Sequence, residues 1–475
     1  MHRRAPLFSV ASCLLWACSQ GGVAPPSDDL PDMAMPTQMP GDGSTSLPDL
    51  ATSVDMALPP AEGKPLWGLS YGAQVEDVAV GSDGAIYITG QFSRADFGDG
   101  NVTSNGVTDG FLVKLDKVGQ RQWARTFGRA FRDVPRKVAV DKNGNSAVVG
   151  YSLRRTDTGT HDAMVVSYDS TGGQRYFRTY GGPLDSAIDV GISTAFASDG
   201  SLYVTGGFED RINFGGGDLV SAGDRDVYLL QLSASGSFVF AKRWGFTSYD
   251  QAHSVAVFPD GDVLLNGTGG YPIDFGDGAV GTNPNVDTFL VRFSSQGVAR
   301  WSKRFRVAPS STTVATVAPD GNIWMAGDTN LAVDLGGGPR PTSTGRGLFS
   351  ARFSGSGEHI ASYALPHTGT AYITSIAVDS TGQAVMGGAA DGDVDFGFGN
   401  TTAAAGLCIL FKQSPWGPVR WAHRFGGTSA YYNNQVMGVA VTPTDQVVSG
   451  GYIGQASTVG SVSLSPFGFA LTTTP

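Results

Sequence analysis

Cysteine is nearly absent from this chain. Its 475 residues hold three, Cys13, Cys18 and Cys408. Two lie in the N-terminal segment, so the rest of the chain can form no internal disulfide. Charge is scarce as well. Lys, Arg, Asp and Glu make up 16% of the residues, against roughly 25% in ordinary soluble proteins. No basic cluster of the kind that tracks a phosphate backbone occurs, which argues against nucleic acid as a partner. Helical periodicity is also missing: no segment after Gly63 sustains a 3.6-residue spacing of apolar residues.

What is present in quantity is glycine, 67 residues, and much of it recurs at fixed intervals. Gly90, Gly150, Gly206, Gly267, Gly327, Gly387 and Gly450 each close a short apolar run, with spacings of 60, 56, 61, 60, 60 and 63. A second landmark keeps step with them, of the form aromatic-x-Arg/Lys-x-aromatic-Gly. It reads Trp123-Ala-Arg125-Thr-Phe127-Gly128, Tyr176-Phe-Arg178-Thr-Tyr180-Gly181, Phe240-Ala-Lys242-Arg-Trp244-Gly245, Trp301-Ser-Lys303-Arg-Phe305 and Trp421-Ala-His423-Arg-Phe425-Gly426. Trp67-Gly-Leu-Ser-Tyr71-Gly72 opens the series, and Ile360-Ala-Ser362-Tyr-Ala364 is a worn copy. Seven units of roughly 60 residues mean a repeat architecture.

Within a unit, Val78-Ala-Val80 is a strand ended by Ser82-Asp83-Gly84, a tight hairpin signal. Ala85 to Gly90, Gly110 to Leu115 and Gln122 to Phe127 are three more strands. Four strands per unit, seven times, predict an all-β, seven-bladed β-propeller over residues 64–475. The array starts out of phase, on a fourth strand at Trp67, and ends after a third strand at Phe469-Ala-Leu471. The N-terminal strand is therefore expected to complete the last blade and remove the free sheet edges. The small residue in Val-Ala-Val suits the crowded axis, and the paired aromatics suit the wider outer wedge. The Arg or Lys between the rings reads as a cation–π and packing element.

The N-terminus reads as a targeting segment. His2-Arg3-Arg4 is a positive start, and Leu7 to Trp16 is an apolar stretch too short to span a bilayer. Leu15-Trp16-Ala17-Cys18 resembles the lipobox of bacterial lipoproteins, which implies residues 1–17 as signal peptide and lipidation at Cys18. Val10-Ala-Ser-Cys13 would leave almost no apolar core ahead of the cut, and Pro25 disfavours ordinary cleavage after Ala24. Residues 19–63 contain eight prolines, seven acidic residues and no Lys or Arg. Such a segment cannot bury enough surface to fold, so 18–63 is expected to be a tether. It would reach roughly 35–40 Å if coiled. The expected location is the bacterial cell envelope, as an outer-membrane lipoprotein held to the membrane only by its lipid.

Five units carry a further motif after the second strand. It reads Asp96-Phe-Gly-Asp-Gly100, Asn213-Phe-Gly-Gly-Gly217, Asp274-Phe-Gly-Asp-Gly278, Asp334-Leu-Gly-Gly-Gly338 and Asp395-Phe-Gly-Phe-Gly399. With the aromatic–cation strand and Val-Ala-Val, it resembles the SBBP-type β-propeller repeats of bacteria. That resemblance implies a secreted or surface lipoprotein and carries no catalytic residue across. The Asp-Phe-Gly loops read as turns held by Asp side chains, with the Phe tucked inward. Calcium is the alternative, although no closely alternating acidic run occurs. No other cofactor is indicated.

Catalytic signatures are missing. No Gly-x-Ser-x-Gly elbow or sialidase-type Ser-x-Asp box appears, and His161, His253, His359, His367 and His423 keep no metal-ligand spacing. Cys408 reads as core packing. The second-to-third connections are long, and in a propeller they share one face with the blade-to-blade loops. Those loops place Asp133, Asp250 and Asn434 five residues before Val138, Val255 and Val439. The long loops and these three residues are the expected binding face. The expected function is a monomeric binding or scaffolding module for protein or glycan. The alternative is a hydrolase or lyase with its site in the central mouth.

Overall fold

The computed structural model describes residues 62–154, 159–184, 187–270, 272–278, 287–306, 312–340, 347–397, 406–426 and 434–475. The signal segment, Cys18 and nearly all of the tether lie outside them. Among the described residues the chain is all β and forms seven four-stranded antiparallel sheets, the blades of a propeller. Blade 1 comprises Gln74–Val80, Ile86–Phe92, Asp109–Leu115 and Arg121–Phe127, from axis to rim. Pro65–Tyr71 is the outer strand of blade 7, where Trp67 pairs with Thr472 and Tyr71 with Gly468. The first strand after it, Gln74–Val80, packs on the inner strand of blade 7, Asn434–Val441. The ring closes as the repeat phase predicts.

The landmark glycines have a steric cause. The inner strand of six blades carries a β-bulge, for example between Val75 and Asp77 and between Ala252 and Ser254. The bulge thrusts a carbonyl at the second strand. A Cβ on Gly90 would lie 1.9 Å from the Gln74 oxygen, and one on Gly150 2.0 Å from that of Val134. In blades 6 and 7 the equivalent residues are Gly388 and Gly451, opposite the Tyr372 and Gln435 oxygens. The repeat phase points one residue early there, to Gly387 and Gly450, because Gly387-Gly388 and Gly450-Gly451 are tandem pairs.

The residue after the bulge joins neighbouring blades. Val138 N–H donates to Asp77 Oδ2 (2.9 Å), Val255 N–H to Ser193 Oγ (3.1 Å), Ala315 N–H to Ser254 Oγ (2.9 Å) and Val439 N–H to Ser375 Oγ (3.1 Å). Each bond crosses from one inner strand to the next. Blade 2 has Lys137 at this position, which cannot accept and instead donates to Asp77 (2.9 Å). Blade 7 has Gly438, whose missing side chain makes room for Asp77.

At the rim the aromatic motif divides its work. The first ring sits on the left-handed glycine of the next blade's third-to-fourth turn. Trp67 faces Gly119, Trp123 faces Gly172, Tyr176 faces Gly236 and Trp301 faces Gly357. The indole N–H of Trp123 donates to Ser170 O, and that of Trp301 to Gly355 O, both at 3.2 Å. The middle cation caps the same turn: Arg125 Nε donates to Gly172 O (2.7 Å) and Lys242 Nζ to Gly297 O (2.6 Å). It thus adds hydrogen bonds to the cation–π contact of Arg125 over Trp123. In the worn unit Tyr363 fills the space at Gly417.

Among the described residues the long second-to-third connections do not form a rim on the loop face. They fold into small hairpins, such as Arg94–Asp96 with Asn101–Thr103 and Arg211–Asn213 with Asp218–Val220. Each hairpin runs back along the outer strand of its own blade, so that Gly98 abuts Arg121 and Gly216 abuts Phe238. The Phe of the motif is a wedge between blades. Phe97 packs on Phe111 and on Tyr71 of the preceding blade, and Phe214 on Tyr228 and Tyr180. The Asp96 carboxylate accepts Gly98 and Gly100 N–H (2.7 and 3.1 Å), and Asp274 repeats the pattern with Gly276 and Gly278. These are the inward-tucked turns expected from sequence. The expectation of a loop rim fails because the loops carry apolar rings that fill the widening gap between blades.

Gly90→Ala should cost more than about 3 kcal/mol through the carbonyl clash, whereas Ser254→Ala should cost about 1 kcal/mol for one inter-blade hydrogen bond. Trp123→Ala, which empties a buried ring site, should cost roughly 3–5 kcal/mol. Denaturant unfolding of the three variants checks this order; equal losses for Gly90→Ala and Ser254→Ala would contradict the bulge account.

Candidate ligand-binding face at the channel mouth

The two faces of the ring differ in kind. On one, the chain reverses through three-residue turns such as Ser82–Gly84, closed by the Gly81 N–H to Ala85 O bond, with Gly84 in the left-handed region at φ 81°. On the other, blade-to-blade loops feed the inner strands, and this face opens onto the axis. An axial cavity of about 330 Å³ is walled by Val78, Ala79, Val80 and their equivalents, with Asp77, Lys137 and His253 among its polar residues.

Asp133, Asp250 and Asn434 do sit where these loops become strands, but they do not line the surface. All three are 0% exposed. Asp133 Oδ2 accepts Arg129 N–H (2.7 Å). Asp250 accepts Phe246 N–H (2.8 Å) and Gly270 N–H (2.6 Å). Asn434 donates to Gly406 O (2.6 Å) and accepts Gly454 N–H (3.1 Å). Asp189 accepts Gly182 and Glu209 N–H, both at 3.1 Å. Backbone donors at a tight bend need acceptors that the strands cannot supply, and a buried carboxylate or amide supplies them. Burial pushes Asp250 up to about 6 and Asp189 up to about 7, and raises Asp133. These residues anchor the loops, which corrects their assignment as surface contacts.

The groups that face the mouth come instead from the inner-strand starts and bulges, which the sequence reading did not single out. In blade 1, Gln91 Nε2 donates to Glu76 Oε1 (2.9 Å), and Gln91 Oε1 accepts from Arg132 (3.2 Å). In blade 2, His161 stacks on Tyr151 at 4.4 Å, and the Arg136 guanidinium lies 5.5 Å from the Tyr151 ring centre. In blade 3, Arg225 bonds Glu209 (2.7 Å) and the Tyr249 hydroxyl, and its guanidinium sits 4.6 Å from the Tyr249 ring centre. Gly207 makes room for it, since a Cβ there would lie 2.6 Å from Arg225 Cδ. Glu76 is buried 3.8 Å from Arg136, and burial raises its carboxyl against the lowering pull of that arginine. Burial, helped by the nearby Arg225, Arg136 and Arg132, pushes His161 down to about 4. Burial alone pushes His253 to about 4, against its contact with Thr313 O (3.1 Å).

Among the described residues no three His, Cys, Asp or Glu side chains gather as a metal site. Cys408 is buried in the core, where burial pushes its thiol up.

No protein-family model matches the chain. A curated relative, the regulatory protein FlaEY of Caulobacter vibrioides, is 24% identical over 421 residues, which span 79% of this chain and 42% of FlaEY. The chain therefore spans less than half the length of that relative. Solved structures of similar architecture include the WD40 β-propeller domain of Doa1 (TM-score 0.41, 9% identity, 87% of this chain and 97% of that one). Another is puromycin hydrolase (TM-score 0.46, 12% identity, 82% and 54%). A third is the β-propeller domain of the Trilobed protease from Pyrococcus furiosus (TM-score 0.42, 8% identity, 85% and 94%). No ligand or reaction follows from likenesses at this level.

His253 gives the mouth a pH signature. An unfolded histidine titrates near about 6.5, but the folded one stays neutral down to about 4. Between these values only the unfolded chain takes up the proton, so stability falls as pH drops through that window. His253→Gln should lose less stability than the parent between pH 7.5 and 4.5. His161 acts in the same sense, and the raised Asp189 and Asp250 act in the opposite one. Thermal midpoints of variant and parent at the two pH values supply the check, and identical losses would refute the assignment.

Proposed function

We propose that the chain is a cell-envelope lipoprotein that presents a rigid propeller as a binding or scaffolding module for protein or glycan, with the loop face as its working surface. The observation that carries this reading is the contrast between the faces. The turn face is closed by minimal turns. The mouth of the loop face carries polar and aromatic side chains, held by hydrogen bonds, on a scaffold that does not need them for closure. The SBBP-type repeat pattern and the lipobox-like Leu15-Trp16-Ala17-Cys18 support the envelope setting. The chain enters the ring at the turn face, where Pro65 pairs with Thr473 and Glu62 bonds Arg420 (2.8 Å).

One observation favours the rival, a hydrolase or lyase in the mouth. Glu76 and Asp77 lie side by side at a bulge, opposite Arg136 and Lys137. Asp77 is committed to Val138 N–H and Lys137, but among the described residues Glu76 Oε2 has no hydrogen-bond donor. A buried carboxyl with a raised pKa can serve as an acid.

Cys18→Ser should move the protein from the membrane to the soluble fraction; unchanged partitioning refutes the anchor. For the working face, the immobilised mature chain is challenged with polysaccharide and protein fractions of the producing cell's envelope. Gln251→Lys on the loop face should abolish retention and Asp320→Lys on the turn face should not; the reverse result overturns the reading. Product release from a bound polysaccharide that disappears in Glu76→Gln, with binding kept, would establish the rival.

A further inference from the structure

Three inner strands carry a glutamine at the same register, as first residue in blades 1 and 4 and as second residue in blade 7. Gln74 pairs with Gln91, Gln251 with Thr268 and Gln435 with Tyr452, one position above the bulge glycine in each blade. Blades 1, 4 and 7 thus place a half-buried carboxamide at one height of the mouth.

In each case a protein donor holds the carbonyl oxygen. Gln251 Oε1 accepts the Tyr249 hydroxyl. That hydroxyl in turn accepts from Arg225, which can only donate, so its own proton must go to Gln251. Gln74 Oε1 accepts from Gln91 Nε2 (3.4 Å). Gln91 cannot flip, because its oxygen faces the donor Arg132 and its nitrogen faces Glu76. Gln435 Oε1 accepts the Tyr452 hydroxyl (2.6 Å). With the oxygens so occupied, the three NH₂ groups are the free ends. Among the described residues none of them has an acceptor within the protein. The Arg136 side chain, 38% exposed, adds a guanidinium at the same mouth.

A mouth whose accessible ends are donors, its one unpaired acceptor at the bulge, Glu76 Oε2, being buried with a side chain 2% exposed, selects a ligand rich in acceptors. Most of the carboxylates nearby are sequestered, although Asp224 is exposed. Asp133, Asp189 and Asp250 are 0% exposed, and Glu209 is paired with Arg225. A polypeptide surface brings its own donors; a chain of uronic acids brings a carboxylate on every sugar and no cation. The blade 3-to-4 loop also exposes the rings of Phe246 (39%) and Tyr249 (44%), faces on which a pyranose can stack.

We infer that the mouth binds a carboxylated polysaccharide, with the amides of Gln74, Gln251 and Gln435 and the guanidinium of Arg136 as donors to uronate carboxylates. This rests on the loop face being the working surface and names its ligand class. The Arg225–Tyr249 relay is a positioning element for Gln251.

The test uses the mature chain and three probes: polygalacturonate, the same polymer fully methyl-esterified, and poly-L-glutamate. Calorimetry should show binding to the first and little to the other two, weakening with added salt. Gln251→Leu, which keeps the volume, should weaken binding about tenfold, as expected for a lost hydrogen bond to a charged acceptor. Tyr249→Phe keeps the ring and frees the amide to flip; it should weaken binding about threefold. Asp320→Asn on the turn face should leave it unchanged. Equal binding of the ester, or no effect of Gln251→Leu, overturns the inference. Equal or tighter binding of poly-L-glutamate also overturns it and makes the ligand an acidic polypeptide. If no probe binds, yet Gln251→Lys still abolishes retention of envelope material, the glycan assignment falls and the working face stands. If that retention is also unaffected, the working face itself is refuted.

Discussion

The inner-strand bulge is the constraint on which the rest of this ring depends. One extra residue in each of six blades forces a carbonyl against the second strand, which only glycine accepts at Gly90 and its equivalents. The same event turns the following side chain toward the next blade, where Asp77, Ser193, Ser254 and Ser375 accept an N–H from the neighbouring inner strand. It also releases the extra residue, Glu76, Arg136 or His253, from the ladder toward the mouth. Sterics, ring cohesion and the chemistry at the axis therefore share one cause. Blade 5, whose inner strand Thr313–Val317 pairs without a register shift, shows the alternative. There Thr313 joins a buried hydroxyl and amide network with Thr288 (2.9 Å) and Asn266 (3.2 Å).

The rim answers a different problem. Blades that touch at the axis diverge outward, and the gap must be filled without exposing sheet edges. Rings of the outer strand cover the next blade's turn, and a folded-back hairpin inserts Phe97 or Phe214 deeper in the gap. Long connections are commonly sites of function. Here their length is what a hairpin needs to reach from the loop face to the start of the outer strand, as the Asp99–Arg121 contact marks in blade 1.

Much of this was legible in the sequence because it rests on periodicity. Blade number, strand order and closure by Trp67 follow from phase, and phase survives a worn unit such as Ile360–Ala364. The inward Phe of the Asp-Phe-Gly turn was legible for a local reason, since an Asp two and four residues ahead of backbone donors specifies its own turn. The mouth was not legible. Asp133 and Asp250 are polar residues on loops, and sequence does not show that their oxygens are consumed by Phe246 or Gly270 N–H groups. A bulge leaves no pattern of its own, and the one-residue error at Gly387 and Gly450 hid the alignment of Gln74, Gln251 and Gln435. Their orientation depends on Tyr249 and Tyr452, residues on a loop and on another strand, so it exists only after folding.

An acidic protein can still offer a donor-rich mouth, because its charges are sorted by burial. The ring has a net charge near −5, the −10 of the whole chain less the −7 of residues 19–63 and the +2 of Arg3 and Arg4. Three of its loop-face carboxylates, Asp133, Asp189 and Asp250, are turned inward onto backbone N–H groups, and others, such as Asp83 and Asp320, lie on the turn face. At physiological salt a charge acts over roughly 8–10 Å. The turn-face acids are therefore largely screened from the mouth, while Arg136 and the three amides act at contact distance. The backbone donors that anchor the loops are what keep the nearer acids buried. Loop stability and ligand preference at the mouth are in this way consequences of the same hydrogen bonds.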